Sequence, residues 1–265
     1  MIDYARYTTI KVEKADRIAV LTLNRPEQLN TINRTMHLEL EEVFEDVARD
    51  EDIHVAVLTG AGRAFSAGGD MRNQYEWAHH GAPYVDLPMA RRIIHSILNV
   101  PQPVIAALNG HCIGLSANIV LFCDVIYAAE DALLGDPHVR FGLVAGDSGC
   151  VVWPLLAGMV RAKELLLTGD LITAQQAERW GVVNHVVPKD QVLPSAMAMA
   201  KRLAYGPTRA IRWTKMCLNK RLREEVNLVL DASLSVEFAE TIGKNDHREG
   251  VSAFLEKRPP KFTGT

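Results

Sequence analysis

Residues 103–118, PVIAALNGHCIGLSAN, pass from a short apolar run through glycines into a helical pattern. The apolar part reads as a strand that ends at the glycine turn. The continuation, CIGLSANIVLFCD (112–124), opens on glycine and proceeds as a helix. A second stretch repeats the layout: HVAVLTGAG (54–62) reads as a buried strand ending in glycines, and FSAGGD (65–70) follows it. In both turns small residues let the backbone approach a ligand closely. Where such a turn runs straight into a helix, the first helical amides have no intrahelical partner and face outward. They suit an anion or a developing oxyanion. Neither turn is followed by the GK[ST] of a P-loop, and neither has the GxGxxG spacing of a dinucleotide fold.

The same alternation extends in both directions. RIAVLTLN (17–24) reads as a strand, and TMHLELEEVFEDVARDED (35–52) as a helix with Leu38, Leu40, Val43, Phe44 and Val47 at helical spacing and acids on the other face. PMARRIIHSILNV (88–100) is a helix stopped by prolines. VIYAAEDALLG (125–135) is a strand and turn, and VVWPLLAGMVRAKELLLTG (151–169) a single helix. LITAQQAERWG (171–181) is a helix capped by Thr173 with Gly181 at its end, and VVNHVVP (182–188) a short strand. From Gln191 onward no strand pattern appears: 191–206, 208–222 and 224–243 read as successive helices. The expected organisation is an α/β core over residues 1–190 and a helical region over 191–265, whose apolar faces are candidates for packing against another subunit.

Bulk properties exclude several classes. The chain has 265 residues, 48% apolar and 23% charged, with net charge −3, so it lacks the basic excess of a nucleic-acid binder. Cys112, Cys123, Cys150 and Cys217 show no CxxC spacing and read as reduced thiols of a cytoplasmic protein. The first residues, MIDYARYTTIKVEKADR, hold no apolar signal segment, and no apolar run reaches membrane-spanning length.

The stretch GDPHVRFGLVAGDSG (135–149) carries the chemistry-bearing candidates. His138 and Asp147 lie among apolar residues and glycines, where a charge is costly. His138 titrates near neutral pH. Asp147 precedes a helix whose dipole is expected to favour its ionised form, and it is also a candidate N-cap. GDSG matches the nucleophile turn of chymotrypsin-like proteases, with Ser148 as nucleophile, but those are secreted all-β barrels and this chain alternates strands with helices. No HExxH or comparable metal signature appears, so no metal is expected and activity should survive a chelator.

Taken together, LNRPEQLNTIN, LTGAGRAFSAGGDM, VPQPVIAALNGHCIG, CDVIYAAEDALLGDP and LLLTGDLITAQQAERWGVVNHVVP resemble the enoyl-CoA hydratase/isomerase family, the crotonases, over about residues 8 to 258. The resemblance implies an α/β fold, a crotonase-like spiral of ββα turns followed by C-terminal helices that trimerise, as a homotrimer or dimer of trimers. It implies an acyl-CoA thioester substrate, with CoA entering as part of the substrate and no other cofactor. It also implies an oxyanion hole made by the amides of Gly69 and Leu115, a leucine standing where the family usually has glycine. Ala67 and Gly69 would line the path of CoA, Gln28 and Leu29 would flank it, and Arg72 would meet a CoA phosphate. The family's two hydratase glutamates are replaced by Asn118 and His138.

A His138–Asp147 pair at this spacing resembles the family's β-diketone hydrolases, which cleave β-dicarbonyl compounds by a retro-Claisen reaction and also use a glutamate in the C-terminal helices. Glu237 is the candidate here. Asp147 also resembles an aspartate of some isomerase and dehalogenase members, where it moves a proton or attacks carbon. A non-catalytic acyl-CoA-binding protein is the remaining alternative. The segment 73–87, with Tyr75, Trp77 and Tyr84, is expected to shape the acyl pocket.

Overall fold

The computed structural model describes residues 2–265. Its centre is a six-stranded sheet in the order β1-β2-β3-β4-β6-β9, formed by Ile10–Ala15, Ile18–Leu23, Val55–Gly60, Val104–Leu108, Val125–Ala129 and His185–Val187. All neighbours beyond the β1–β2 hairpin are parallel. β3 and β4 are buried at every residue, as parallel strands covered on both faces must be. A second sheet, in the order β5-β7-β8, joins Cys112–Ile113, Leu133–Gly135 and Ile172–Thr173. From β4 onward, successive turns thus place one strand in each sheet (β4 and β5, β6 and β7, β9 and β8), the spiral of ββα units that the sequence resemblance implies.

The helices are α1 (Arg34–Arg49), α2 (Met71–His80), α3 (Leu87–Asn99), α4 (Leu115–Val120), α5 (Gly149–Ala157), α6 (Met159–Thr168), α7 (Ala174–Arg179), α8 (Val192–Ala204), α9 (Thr208–Val236) and α10 (Asn245–Leu255). α8 lays Val192, Ala196, Ala200 and Ala204, one stripe at four-residue spacing, against β3, β4 and β6. Thr173 caps α7 in a full capping box with Gln176, as its sequence signals.

Four features depart from the sequence expectation. β1 escapes a hydrophobic pattern because it is an edge strand, IKVEKA, with charges on its open face. Its turn is made by Asp16 and Arg17, both at positive φ, 51° and 65°. α2 and α10 are additional helices; α2 buries Ala78 alone and so shows no apolar stripe. Residues 151–169 are two helices rather than one, because Gly158 at φ 83° ends α5 and starts α6. Conversely, 208–236 is one helix of 29 residues, since no glycine or proline interrupts the polar stretch NKRLREE.

α9 is fixed at both ends. Near its start, Lys215 is buried and bonds Asp124 Oδ2 at 2.7 Å and the Gln102 carbonyl at 2.9 Å, tying the helix to the ends of β4 and β6. At its finish, Ser233 Oγ donates to the Gly146 carbonyl at 2.8 Å. The helix then widens into a π turn over Glu237–Thr241.

Candidate active site

The two glycine turns meet. Gly68 approaches Ile113 so closely that a Cβ there would lie 2.8 Å from the Ile113 carbonyl oxygen. Across the junction the Ser66 amide donates to the His111 carbonyl at 3.0 Å and the Ile113 amide donates to the Ser66 carbonyl at 3.1 Å. Leu115 is the first residue of α4, so its amide has no intrahelical acceptor. The Gly69 amide donates to no hydrogen bond among the described residues. The two amides that the resemblance singles out are therefore both free and lie on adjoining turns.

Asn30 holds this arrangement, and nothing in the sequence pattern singled it out. It is fully buried with φ 54°. Its side-chain amide donates to the carbonyls of Ala61, Ala64 and Phe65 at 2.8, 3.0 and 3.0 Å. The neighbouring Leu29 carbonyl accepts from Ala67 at 3.0 Å. Leu29 thus touches the candidate CoA loop through its backbone, whereas Gln28 is exposed. Arg72 is exposed on the first turn of α2, outside the lining of the cleft. The arginines that line the cleft are Arg140 and Arg258, which pair with Asp170 and with Glu249.

A cleft of about 540 Å³ opens beside Ala67, Gly69, Gly114 and His138, closed on its far side by Phe254 and Phe262. Behind it lies a chamber of about 50 Å³ lined by Leu115, Trp77, Tyr84, Phe238, Asp147 and Glu237. Gly69, Gln74 and His138 border both spaces and mark their seam. Trp77 and Tyr84 line the inner chamber, packed edge to face with ring centroids 5.5 Å apart. Tyr75 instead stacks on His79 at 4.1 Å.

His138 sits at the seam between two carboxylates. Its Nε2 lies 3.4 Å from Asp147 Oδ2, and its Nδ1 makes a short bond to Asp136 Oδ1. Asp136 is the nearer partner, and the sequence pattern, in which His138 pairs with Asp147 nine residues on, does not reveal it. Asn118 completes the group. Its amide donates to Asp136 Oδ2 and Asp147 Oδ1, each at 2.8 Å, and its carbonyl accepts from Trp153 Nε1 at 2.9 Å. Asn118 thus bonds side chains, not backbone, and holds the two carboxylates on either side of the imidazole. Glu237 enters the chamber from the π turn after α9, buried, with Oε2 unpartnered.

The charges follow from this packing. Burial alone pushes His138 down, but the charges of Asp136 and Asp147 outweigh it and hold the imidazole well above the usual histidine range. With a carboxylate at each ring nitrogen, the cation donates both protons. Burial would raise Asp136, but the His138 charge and hydrogen bonds hold it below the ordinary range. Asp147 is pushed up to about 6 by burial and by the Asp136 charge, against the pull of His138. This corrects the expectation that a helix dipole favours its ionised form: α5 begins only at Gly149, Ser148 intervenes with φ 84°, and desolvation wins. Asp147 caps no helix. Glu237 is raised well above the carboxylate range by burial and by the Asp147 charge. The packing therefore favours the cationic form of His138, the anionic form of Asp136 and the protonated form of Glu237.

The glycines of GDSG serve these carboxylates. A Cβ at Gly146 would lie 2.4 Å from Glu237 Oε2, and one at Gly149 would lie 2.3 Å from Asp136 Oδ2. Ser148 Oγ is buried and bonds no partner, so no histidine activates it, and the protease alternative falls. Asp136, His138 and Asp147 are also the one group among the described residues whose ligand atoms lie close enough, within 4.8 Å, to hold a metal ion. The sequence spacing gave no sign of this cluster. Both ring nitrogens carry protons shared with the carboxylates, and a metal would have to displace one of them.

Comparison with known proteins agrees with this architecture. The Enoyl-CoA hydratase/isomerase family model matches residues 13–265. The 1,2-epoxyphenylacetyl-CoA isomerase of Escherichia coli (strain K12) is 36% identical over 96% of this chain and 97% of its own length. The crotonyl-CoA hydratase of Syntrophomonas wolfei is 33% identical over 97% of this chain and 98% of its own. The crystal structure of an enoyl-CoA hydratase/isomerase from Mycobacterium paratuberculosis superposes with a TM-score of 0.85 at 38% identity, covering 92% of this chain and 98% of that one. The described helices include none long and apolar enough to cross a membrane. A spiral α/β fold, two free amides on adjoining glycine turns and a match along nearly its whole length lead to one conclusion: the chain belongs to the enoyl-CoA hydratase/isomerase family.

Proposed function

We propose that this protein relocates a proton on an acyl-CoA thioester through an enolate, with Asp136, His138, Asp147 and Glu237 in place of the two hydratase glutamates. The observation that carries this reading is the carboxylate–imidazole–carboxylate line at the seam of cleft and chamber, with the buried, unpartnered Glu237 Oε2 inside. The thioester oxygen would lie between the Gly69 and Leu115 amides, which gain strength as negative charge develops on it. Asp147, ionised above about 6, would take the proton from carbon. His138 would remain cationic and stabilise the enolate, and Glu237 would return a proton at a second carbon or to a leaving group. CoA would enter along Ala67 and Gly69 as part of the substrate, with no metal or redox cofactor. The protein would work in the cytoplasm as a homotrimer or dimer of trimers.

One arrangement favours a second reading, retro-Claisen hydrolysis of a β-dicarbonyl. Glu237 faces the His138–Asp147 pair across a small chamber, so that water activated by the pair could attack one carbonyl while Glu237 protonates the departing carbanion. Both readings are tested by screening enoyl-CoA esters and cyclic diketones with mass readout of products. His138→Ala should lower turnover at least about 100-fold while CoA-ester binding persists. Ring opening with gain of one water identifies hydrolysis, and an unchanged mass identifies isomerisation. Wild-type turnover retained in His138→Ala refutes the catalytic role, and a wild-type protein that binds thioesters but converts none is a binding protein.

A further inference from the structure

The chamber behind the seam is walled by Trp77, Phe238, Ile32, Val85 and Ile242, yet it contains polar atoms that proton transfer does not need. Gln74 Nε2 donates to Tyr84 Oη at 2.9 Å, while Gln74 Oε1 is buried without a partner. Tyr84 Oη accepts that bond and, among the described residues, donates to nothing, so its own proton is free. A Cβ built on Gly69 would stand 3.4 Å from Tyr84 Oη and 3.6 Å from Gln74 Nε2. The pair therefore flanks the backbone that carries one oxyanion amide, at the point where an acyl chain passes from cleft to chamber. Trp77 packs between Tyr84 and Phe238, with centroids 5.5 and 5.4 Å away, and fixes the phenol in place.

A buried acceptor left unmatched is costly unless a ligand matches it, and a phenol proton without an acceptor is available to one. A wholly hydrocarbon acyl chain would leave the Gln74 oxygen unpaired and the Tyr84 proton without an acceptor. A chamber of about 50 Å³ also has room for only a few heavy atoms. Resting on the acyl-CoA reading above, we propose that Tyr84 and Gln74 select a short acyl group bearing a second oxygen near the thioester, a 3-oxo or 3-hydroxy group. Tyr84 donates its hydroxyl proton to that oxygen. Gln74 orients the phenol, and its free oxygen accepts from the substrate when the group is a hydroxyl. Sites built to hydrogen-bond a substrate oxygen discriminate strongly against analogues that lack it.

The test uses two esters with the same four-carbon chain, acetoacetyl-CoA and butyryl-CoA, and calorimetry on the full chain. Acetoacetyl-CoA should bind the wild type on the order of tenfold more tightly than butyryl-CoA, the ratio expected of one buried hydrogen bond. Tyr84→Phe, which keeps the ring packing, should bring the ratio to within about threefold by weakening acetoacetyl-CoA alone, and Gln74→Leu should reduce it as well. Equal affinities in the wild type, or a ratio that survives both substitutions, overturns the proposal and leaves the thioester reading standing. Failure of the folded wild type to bind either ester overturns the thioester reading and this proposal together.

Discussion

Asp147→Asn should make the protein more stable and inactive at once. The carboxyl ordinarily titrates near 3.8 and in the folded protein near about 6. Between those values the folded protein holds a proton that the unfolded chain has already released. Stability from this group is therefore fully present below 3.8 and is lost as pH rises through about 6. At 1.36 kcal/mol per pH unit the anion costs the folded state about 3 kcal/mol at pH 7.5. The amide can still accept from Asn118, which donates to Asp147 Oδ1 at 2.8 Å. The His138 cation loses one of its two counter-charges, which offsets part of the gain. A net stabilisation of about 1–2 kcal/mol remains, or about 2–8 °C in Tm for a chain of this size. Thermal and urea denaturation at pH 7.5 should show this gap, and below pH 4 it should close. Thioester turnover should fall at least about 100-fold. The acid limb of the wild-type kcat/KM profile, centred near about 6, should vanish with it. A variant less stable than the wild type by 1 kcal/mol or more at pH 7.5 would show that the carboxylate is net stabilising, and the electrostatic reasoning would fail.

Glu237→Gln retains shape and removes a proton donor whose Oε2 has no partner, so stability should be unchanged or slightly higher while kcat falls about 100-fold, read from paired melts and steady-state kinetics. Gly149→Ala would drive a methyl to 2.3 Å from Asp136 Oδ2 and 2.9 Å from Ala145 Cβ. Overpacking of about 1–3 kcal/mol should exceed the gain of up to about 1 kcal/mol from better helix propensity, lowering the urea midpoint and activity together. Lys215→Met leaves Asp124 without its cation; because that carboxylate is 23% exposed and keeps its bond from the Val104 amide, the loss should be about 2–3 kcal/mol by urea titration, below the value for a fully buried pair.

The alternation of apolar runs and glycine turns was enough to show the α/β core, because buried parallel strands such as β3 and β4 are written almost wholly in apolar residues, Thr59 being the exception. Charged edge strand β1 and the weakly amphipathic α2 were not legible, since one faces water along its open side and the other buries a single alanine. At the site, His138 and Asp147 were visible as polar residues in apolar surroundings and Glu237 only through the family resemblance, and the structure places all three on one chamber. Asp136 and Asn30 were not visible. Their roles depend on contacts across 31 to 35 residues, or on which of two nearby carboxylates an imidazole turns toward, and neither is a matter of local pattern. GDSG was misleading as a motif because its glycines answer to the carboxylates of Asp136 and Glu237 rather than to its own serine.

α9 gives the site an unusual dependence on distant geometry. From Lys215, clamped beneath the sheet, to Glu237 in the chamber there are 22 residues, about 33 Å of helix. A helix advances about 100° per residue, so inserting or deleting one residue anywhere between those points would swing the glutamate to another side of the rod. Such a change would touch neither the substrate nor the glycine turns, yet would leave the chamber without its acid. The π turn at Glu237–Thr241 is wound one residue looser than the rod before it, at the place where the carboxyl turns inward. The length of α9 therefore fixes where Glu237 stands in the chamber, and under the proposed function it constrains the chemistry as much as the identity of the residue at its end.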